Sequence, residues 1–182
     1  MALEIIIAVL LLILAYIIFI YNNLIALKER HRNALSQIDV QLKRRADLIP
    51  NLIETVKGYM AHEKTLLKEI AKLRSSILTG NLEQRLDADK KLHDNLKTIF
   101  AIAENYPQLR ANENFMQLQE ELVTTENRIA YARQVLNDVV YIFNARIKQF
   151  PTNIIARLFN FTELSYFEAE EKEKQSIKIN MK

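Results

Sequence analysis

An uninterrupted apolar run near the N-terminus constrains this chain more than any other feature. Residues 5–21 read IIIAVLLLILAYIIFIY, without a charged side chain. As an α-helix this run would extend about 26 Å, close to the thickness of the hydrocarbon core of a bilayer. A cleaved signal peptide would instead need a basic N-terminal region and a small-residue cleavage site, which this stretch lacks. We therefore predict an uncleaved transmembrane anchor over residues 1–24.

The residues that flank this run predict its orientation. Glu4 precedes it, whereas three basic residues follow it closely, namely Lys28, Arg30 and Arg32. Because basic residues favour the cytoplasmic side of a membrane, we expect the N-terminus outside and the body in the cytoplasm. Tyr16 and Tyr21 suit the membrane interface, so we place them there together with the three basic residues.

Composition predicts that the rest of the chain is all-α. Only 2 Gly and 3 Pro occur in 182 residues, too few for the many turns of a β-sandwich or barrel. The chain has no Cys, which excludes disulfides, thiolate metal sites and a cysteine nucleophile. The formal net charge of +3 is small and dispersed, so we expect no nucleic-acid partner.

Hydrophobic periodicity predicts three long helices in the body. Apolar residues recur every three or four positions from Ile38 to Ile77, interrupted only by Arg45 and Glu63. A second helix is expected over 82–104, with Asn81 as its N-cap, and a third from the Asn112 cap to Phe150. The predicted fold is a single-pass transmembrane helix, an antiparallel bundle of three long helices and a short C-terminal helical segment. The bundle domain spans 25–167, and residues 168–182 form a charged tail that we expect to be frayed.

Pro50 lies inside the first predicted helix. A proline in a helix interior removes a hydrogen bond and commonly kinks the helix. The apolar pattern crosses Pro50 without a change of phase, which favours a kink in a continuous helix. The alternative is a new helix capped by Asp47, with Pro50 in its first turn.

The search for catalytic chemistry gives no candidate. His62-Glu63-Lys64-Thr65-Leu66 begins like a zinc-protease helix but has Leu66 where the second histidine ligand belongs. No Glu-x-x-His pair of the di-iron kind precedes any of the three histidines. We therefore predict a non-enzymatic protein without cofactor or metal.

The aromatic segment 150–167 allows two interpretations. Five of its residues are aromatic, from Phe150 to Phe167. The first interpretation is a short helix and loop that cover the end of the bundle. The second is a segment that docks on a membrane or on a partner protein.

A length comparison predicts self-association. A single helix over 28–78 would be about 76 Å long, whereas the helix over 82–104 returns only about 35 Å. The membrane-proximal part of the first helix would then present an uncovered apolar stripe, which typically marks an interface. Its members are Leu35, Ile38, Leu42 and Ile49, with Arg45 setting the register or extending its charge into water. The alternatives are that the link near Pro107 descends far enough, or that the chain folds back at Pro50.

The run Ile38-Asp-Val-Gln-Leu-Lys-Arg-Arg-Ala-Asp-Leu-Ile-Pro-Asn-Leu-Ile-Glu-Thr-Val-Lys-Gly-Tyr59 resembles the signature of the LemA family of bacterial membrane proteins. Further similar stretches are Tyr21-Asn22, His62-Glu63, 103–112, 125–130 and Phe150-Pro151. Leu35 and Leu136 stand where the family usually has aromatic residues. The resemblance implies a helical bundle behind an N-terminal anchor in the bacterial inner membrane, and no established enzymatic activity.

Taken with the residues, this resemblance favours an interaction protein. We expect a membrane-anchored scaffold at the cytoplasmic face, in contact with the lipid bilayer and assembled as a homo-oligomer. The alternative is an adaptor or regulator of a membrane enzyme such as a protease, which would add a membrane-protein partner.

Overall fold

The regular structure of the described residues is entirely helical. A computed structural model describes residues 1–60 and 62–167. Its helices are α1 (Ala2–Lys57), α2 (Lys64–Thr79), α3 (Leu82–Ala103), α4 (Pro107–Arg110), α5 (Glu113–Lys148) and α6 (Thr152–Leu158). This confirms the all-α prediction, with its long apolar helix at the N-terminus. The predicted frayed tail, 168–182, lies outside the described residues.

Helix α1 differs from its prediction at one end. It passes through Pro50 without a break, so the alternative of a new helix beginning near Asp47 is wrong, while a kink there stays a prediction. It then ends at Lys57, where Tyr59 and Met60 both donate their backbone N–H to the carbonyl of Val56. The predicted single helix through residue 77 is therefore wrong, because the apolar pattern continues across a reversal of the chain.

Within the described residues the chain forms two compact units. One unit comprises residues 36–132, and the other combines residues 1–35 with residues from 133 onward. Helices α1 and α5 each contribute to both units.

The unit of residues 36–132 is a bundle in which α2 runs back along α1. Arg74 on α2 donates from Nε to the carbonyl of Ala46 on α1, over 2.9 Å. At the start of α3, Arg85 forms a 2.7 Å ion pair with Asp39. The predicted caps are present: Asn81 makes a capping box with Gln84, and the Asn112 side chain accepts from the N–H of Phe115. The bundle thus uses four main helices where three were expected.

The unit that contains residues 1–35 has its own core. Buried residues from α1, α5 and α6 meet there, namely Ile20, Leu24, Leu27, Phe143, Ile147, Ile155 and Ala156. Phe143 is buried, and its neighbours in this core on α1 belong to the first half of that helix.

Candidate functional site

The first third of α1 is an apolar helix that the described protein leaves uncovered. Large apolar side chains from Leu3 to Phe19 are exposed. Only 6% of the 18-residue apolar stretch of α1 is buried within the protein. A core helix of a soluble protein would bury such side chains, so the segment is suited to lipid. Together with the family evidence given below, this identifies a membrane protein.

The predicted membrane-interface residues occupy two kinds of position. Tyr16 is exposed on α1, and so are the basic residues Lys28, Arg30 and Arg32. Tyr21 is half-buried, because its ring packs against those of Phe159 and Phe161 at centroid distances of 4.8 and 5.9 Å. The interfacial role of these five residues stays a prediction.

Arg45 forms the centre of a buried charge cluster in the unit of residues 36–132. Its side chain is 1% exposed, and Nη1 donates to the carboxylates of Asp89, at 3.1 Å, and of Glu126. Asp89 is 2% exposed, and Glu126 also lies 3.1 Å from Nδ1 of His93. Helices α1, α3 and α5 are thereby joined through opposite charges, and we call Arg45, Asp89, His93 and Glu126 the charge cluster.

The charge cluster decides between the two interpretations of Arg45. The side chain does not extend into water, and its charge is paired with two carboxylates of its own chain. A charge can be buried only when partners compensate its loss of hydration, and two carboxylates do so here. The polar position in the apolar pattern therefore fixes the packing of three helices of one molecule.

The expected self-association stripe is not exposed. Ile38, Leu42 and Ile49 are fully buried within the chain, and Leu35 is half-buried. The length comparison fails because α2 folds back at residues 58–63 and α3 begins beside Asp39, so α2 and α3 cover α1. The stripe is therefore a core, and the self-association itself stays a prediction.

A polar groove lies between α1 and α5 in the same unit. It has a volume of about 510 Å³, and its lining is mostly amide and carboxylate, comprising Leu48, Asn51, Glu54, Thr55, Asn114, Gln117, Leu118 and Glu121. Beside it, Arg44 and Glu121 form a half-exposed ion pair at 4.0 Å. Such a lining offers hydrogen-bond donors and acceptors to a polar partner segment. Sequence reasoning missed the groove because no motif marks it.

Two asparagines hold the segment that follows α6 against α5. Asn144 donates to the carbonyl of Leu164 and accepts from its N–H, at 2.8 and 2.9 Å. Asn137 makes the same pair of bonds with Phe167, at 2.9 and 2.8 Å. Each amide therefore reproduces the donor and acceptor of a β-strand neighbour, which fixes residues 164–167 along α5.

Burial lowers the pKa of His31, on α1, below its ordinary value. Among residues 1–60 and 62–167, no group of three or more His, Asp and Glu side chains is placed to hold a metal ion. The charge cluster consists of the two ion pairs of Arg45 and the contact between His93 and Glu126, which makes it suited to holding helices together.

Comparison with known proteins gives relatives of low identity and broad coverage. The chain is 25% identical to Protein LemA of Metamycoplasma hominis, over 86% of this chain and 72% of that protein. It is 23% identical to the magnetosome protein MamQ 2 of Paramagnetospirillum magneticum, covering 85% and 67% of the two chains. For the magnetosome protein MamQ of Magnetospirillum gryphiswaldense, the identity is 24%, with 81% and 64% covered.

The family match covers most of the chain. It extends over residues 34–181, which include the charge cluster and the polar groove. They also include Asn137 and Asn144, which we call the asparagine clamps because each holds one residue of the segment after α6. The apolar third of α1 precedes the matched region. The chain belongs to the LemA family.

Proposed function

We propose that this protein is a non-enzymatic scaffold, anchored in the inner membrane with its N-terminus outside and its bundle at the cytoplasmic face. The observation that carries the proposal is the continuity of α1, which leads from an exposed apolar segment into the bundle as one helix. The exposed basic residues Lys28, Arg30 and Arg32 support the orientation, because such residues favour the cytoplasmic side.

The disposition of charge supports an architectural role. Asp89 and Glu126 form ion pairs with Arg45, and His93 contacts Glu126, so the side chains best suited to acid–base work join three helices. Acid–base catalysis instead needs a group within reach of a substrate proton. The side chains of the charge cluster contact one another within the bundle. This arrangement favours a function that is carried by the outer surface of the protein.

Self-association is the second part of the proposal. Tethering to a bilayer confines copies to two dimensions and raises their effective concentration, so weak contacts between surfaces suffice. Exposed apolar side chains are available on the bundle at Val40, Met116 and Val123. These residues replace the buried stripe as candidates for contacts between copies.

In-membrane photo-crosslinking tests the scaffold. A photoreactive amino acid is introduced at Val123, and in a matched variant at the buried neighbour Leu122. We expect products of whole-number multiples of the chain mass from position 123 and none from position 122. Mass photometry of the full-length protein in detergent provides the second readout, and a single monomeric species in both experiments would contradict self-association.

The polar groove favours a second candidate function, that of an adaptor for a membrane protein. Its amide side chains, among them Asn51, Asn114 and Gln117, suit hydrogen bonding to a peptide segment. The same crosslinker at Gln117 discriminates the two functions. One foreign protein captured in stoichiometric amounts at Gln117, with no product at Val123, would replace the scaffold by the adaptor.

A further inference from the structure

Helix α6 packs against the part of α1 that lies in the apolar run. Ile155 and Ala156 of α6 are buried in one core with Ile20 and Leu24 of α1, and Ile17 packs against the same core. The ring of Phe159, directly after α6, lies 4.8 Å from that of Tyr21. Helix α6 therefore lies beside residues 17–24 of α1.

The length of the apolar run indicates how deep in a bilayer residues 17–24, and α6 beside them, would lie. Residues 5–21 extend about 26 Å as a helix, whereas the hydrocarbon core of a bilayer is about 30 Å thick. A span of this length places Tyr21 no further out than the boundary between acyl chains and headgroups. Any element beside residues 17–24 lies at that same boundary.

The outer side of this segment is apolar. Phe150 is 80% exposed, Ile154 56% and Leu158 69%. Ile154 and Leu158 are one helical turn apart and share a face of α6, opposite the buried Ala156. In the described protein this face is uncovered, and large apolar side chains in a cluster are characteristic of a contact surface.

The chain turns back directly after α6. Asn160, with a φ of 55°, ends the helix in the left-handed conformation, and Phe161 donates its N–H to the carbonyl of Ala156 over 2.8 Å. The Asn144 clamp then holds Leu164 beside α5. Residues 150–159 are thus the turning point of a segment that approaches the apolar run and leaves it again.

Exposed cations flank this turning point. Arg146 and Lys148 lie in the last turn of α5, and Arg157 lies on α6 beside Leu158. Long basic side chains next to apolar ones suit the headgroup region, where the stem lies along acyl chains and the charge reaches phosphate. The chemistry of the surface thus changes from apolar to cationic, as a bilayer interface requires.

We propose that residues 150–159 form a second membrane contact, with Phe150, Ile154 and Leu158 inserted into the leaflet on the bundle side of the anchor. The proposal deepens the proposed function and rests on its membrane-spanning α1. The occupant of the face is lipid, because the face is continuous with the anchor through Ile17, Ile20 and Tyr21. The segment therefore both covers a core and binds the bilayer.

Single-tryptophan quenching tests this contact, and the chain has no Trp of its own. The full-length Phe150→Trp variant is reconstituted into vesicles of phosphatidylglycerol and phosphatidylcholine, the latter brominated near the headgroup end of its acyl chains. We expect blue-shifted emission and loss of most of its intensity relative to unbrominated vesicles. The matched control is the Tyr131→Trp variant, whose site is exposed on α5 in the unit of residues 36–132 and should keep its emission.

A third variant separates this inference from the proposed function. The Ile13→Trp variant reports the anchor itself and should be quenched by lipid brominated deeper in the acyl chains. Quenching at position 13 with full emission at position 150 would overturn the membrane contact and leave the anchor standing. A blue shift at position 150 without quenching would assign the face to a second protein chain and overturn the proposal equally. A variant at position 13 that escapes quenching would refute the spanning helix, and the contact with it.

Discussion

The two compact units of this protein have cores that are filled by different kinds of side chain. The core of residues 36–132 places Arg45 and Asp89 at its centre, among Ile38, Leu42 and Ile49. The buried members of the core around Ile20 and Phe143 are all aliphatic or aromatic. Charges near lipid are costly, so the core without charged members is the one whose chemistry is compatible with a bilayer.

This difference teaches what a buried charge contributes. An ion pair in a core is weak evidence for stability, because desolvation offsets the attraction between its members. It does penalise every packing in which a charge lacks its partner. The charge cluster thus specifies which faces of α1, α3 and α5 meet, whereas aliphatic side chains tolerate more arrangements.

The largest expected effect comes from adding a charge that lacks a partner. Leu122, on α5, is buried, and its neighbour Val123 is 51% exposed. The Leu122→Asp variant should lose about 5 kcal/mol of folding free energy, since it creates a cavity and buries a carboxylate. Thermal unfolding followed by circular dichroism measures the loss, and Val123→Asp is the matched control. Equal melting temperatures of the two variants would show that α5 does not pack as described.

Removing the central cation should have the next largest effect. The Arg45→Met variant leaves Asp89 and Glu126 without their shared partner and should cost about 3 kcal/mol. Arg44→Met removes only a half-exposed pair with Glu121 and should cost about 0.5 kcal/mol. In thermal unfolding the difference corresponds to roughly 5–10 °C, at 2–4 °C per kcal/mol.

A double variant sharpens this prediction. If the cost arises from the buried Asp89 carboxylate losing the Arg45 charge, then Arg45→Met combined with Asp89→Leu should recover part of the lost stability. A double variant less stable than Arg45→Met alone would mean that Asp89 serves other contacts more than the ion pair.

The asparagine clamps should show a smaller and more local effect. The Asn144→Leu variant leaves the N–H and carbonyl of Leu164 without their partner, which should cost about 1–2 kcal/mol. We expect faster amide hydrogen exchange over residues 161–167 and unchanged exchange in α2 and α3. Glu163→Gln is the control, since its exposed ion pair with Lys148 contributes little. Faster exchange throughout the chain would contradict a local role.

The smallest expected effect is a pH dependence from His31. Burial lowers its pKa in the folded state, so the unfolded chain binds more protons as the pH falls below about 6.5. Stability should therefore decrease on acidification from pH 7 to pH 5, and the His31→Asn variant should show a shallower decrease. Melting temperatures across this range measure it, and identical profiles would mean that His31 is equally accessible in both states.

The spacing of apolar residues predicted most helices, because it reflects directly which face of each helix is buried. The caps at Asn81 and Asn112 appear where the sequence placed them. It failed at residues 58–63, because apolar residues on α2 happen to continue the phase of α1. Gly58 is the local signal that was available there, since glycine weakens a helix interior.

The site residues were harder to predict than the helices. The sequence marked Arg45 as unusual, but the ion pairs join residues 44 and 81 positions apart, which no local pattern encodes. The predicted stripe from Ile38 to Ile49 was correct as an apolar face and wrong as a surface, because one missed reversal changed what covers it. The helical content of the chain was predicted, whereas the position at which the chain reverses between α1 and α2 was not.

Cysteine accessibility in intact cells tests the central claim, that α1 crosses the inner membrane and holds the bundle at the cytoplasmic face. The chain has no Cys, so single variants give an unambiguous signal. The Ala2→Cys variant should react with a membrane-impermeant thiol reagent added outside, provided that the reagent passes the cell envelope to the outer face of this membrane. The Ser75→Cys variant, exposed on α2, should react only after permeabilisation. The reverse pattern, or labelling of both variants in intact cells, would contradict the account.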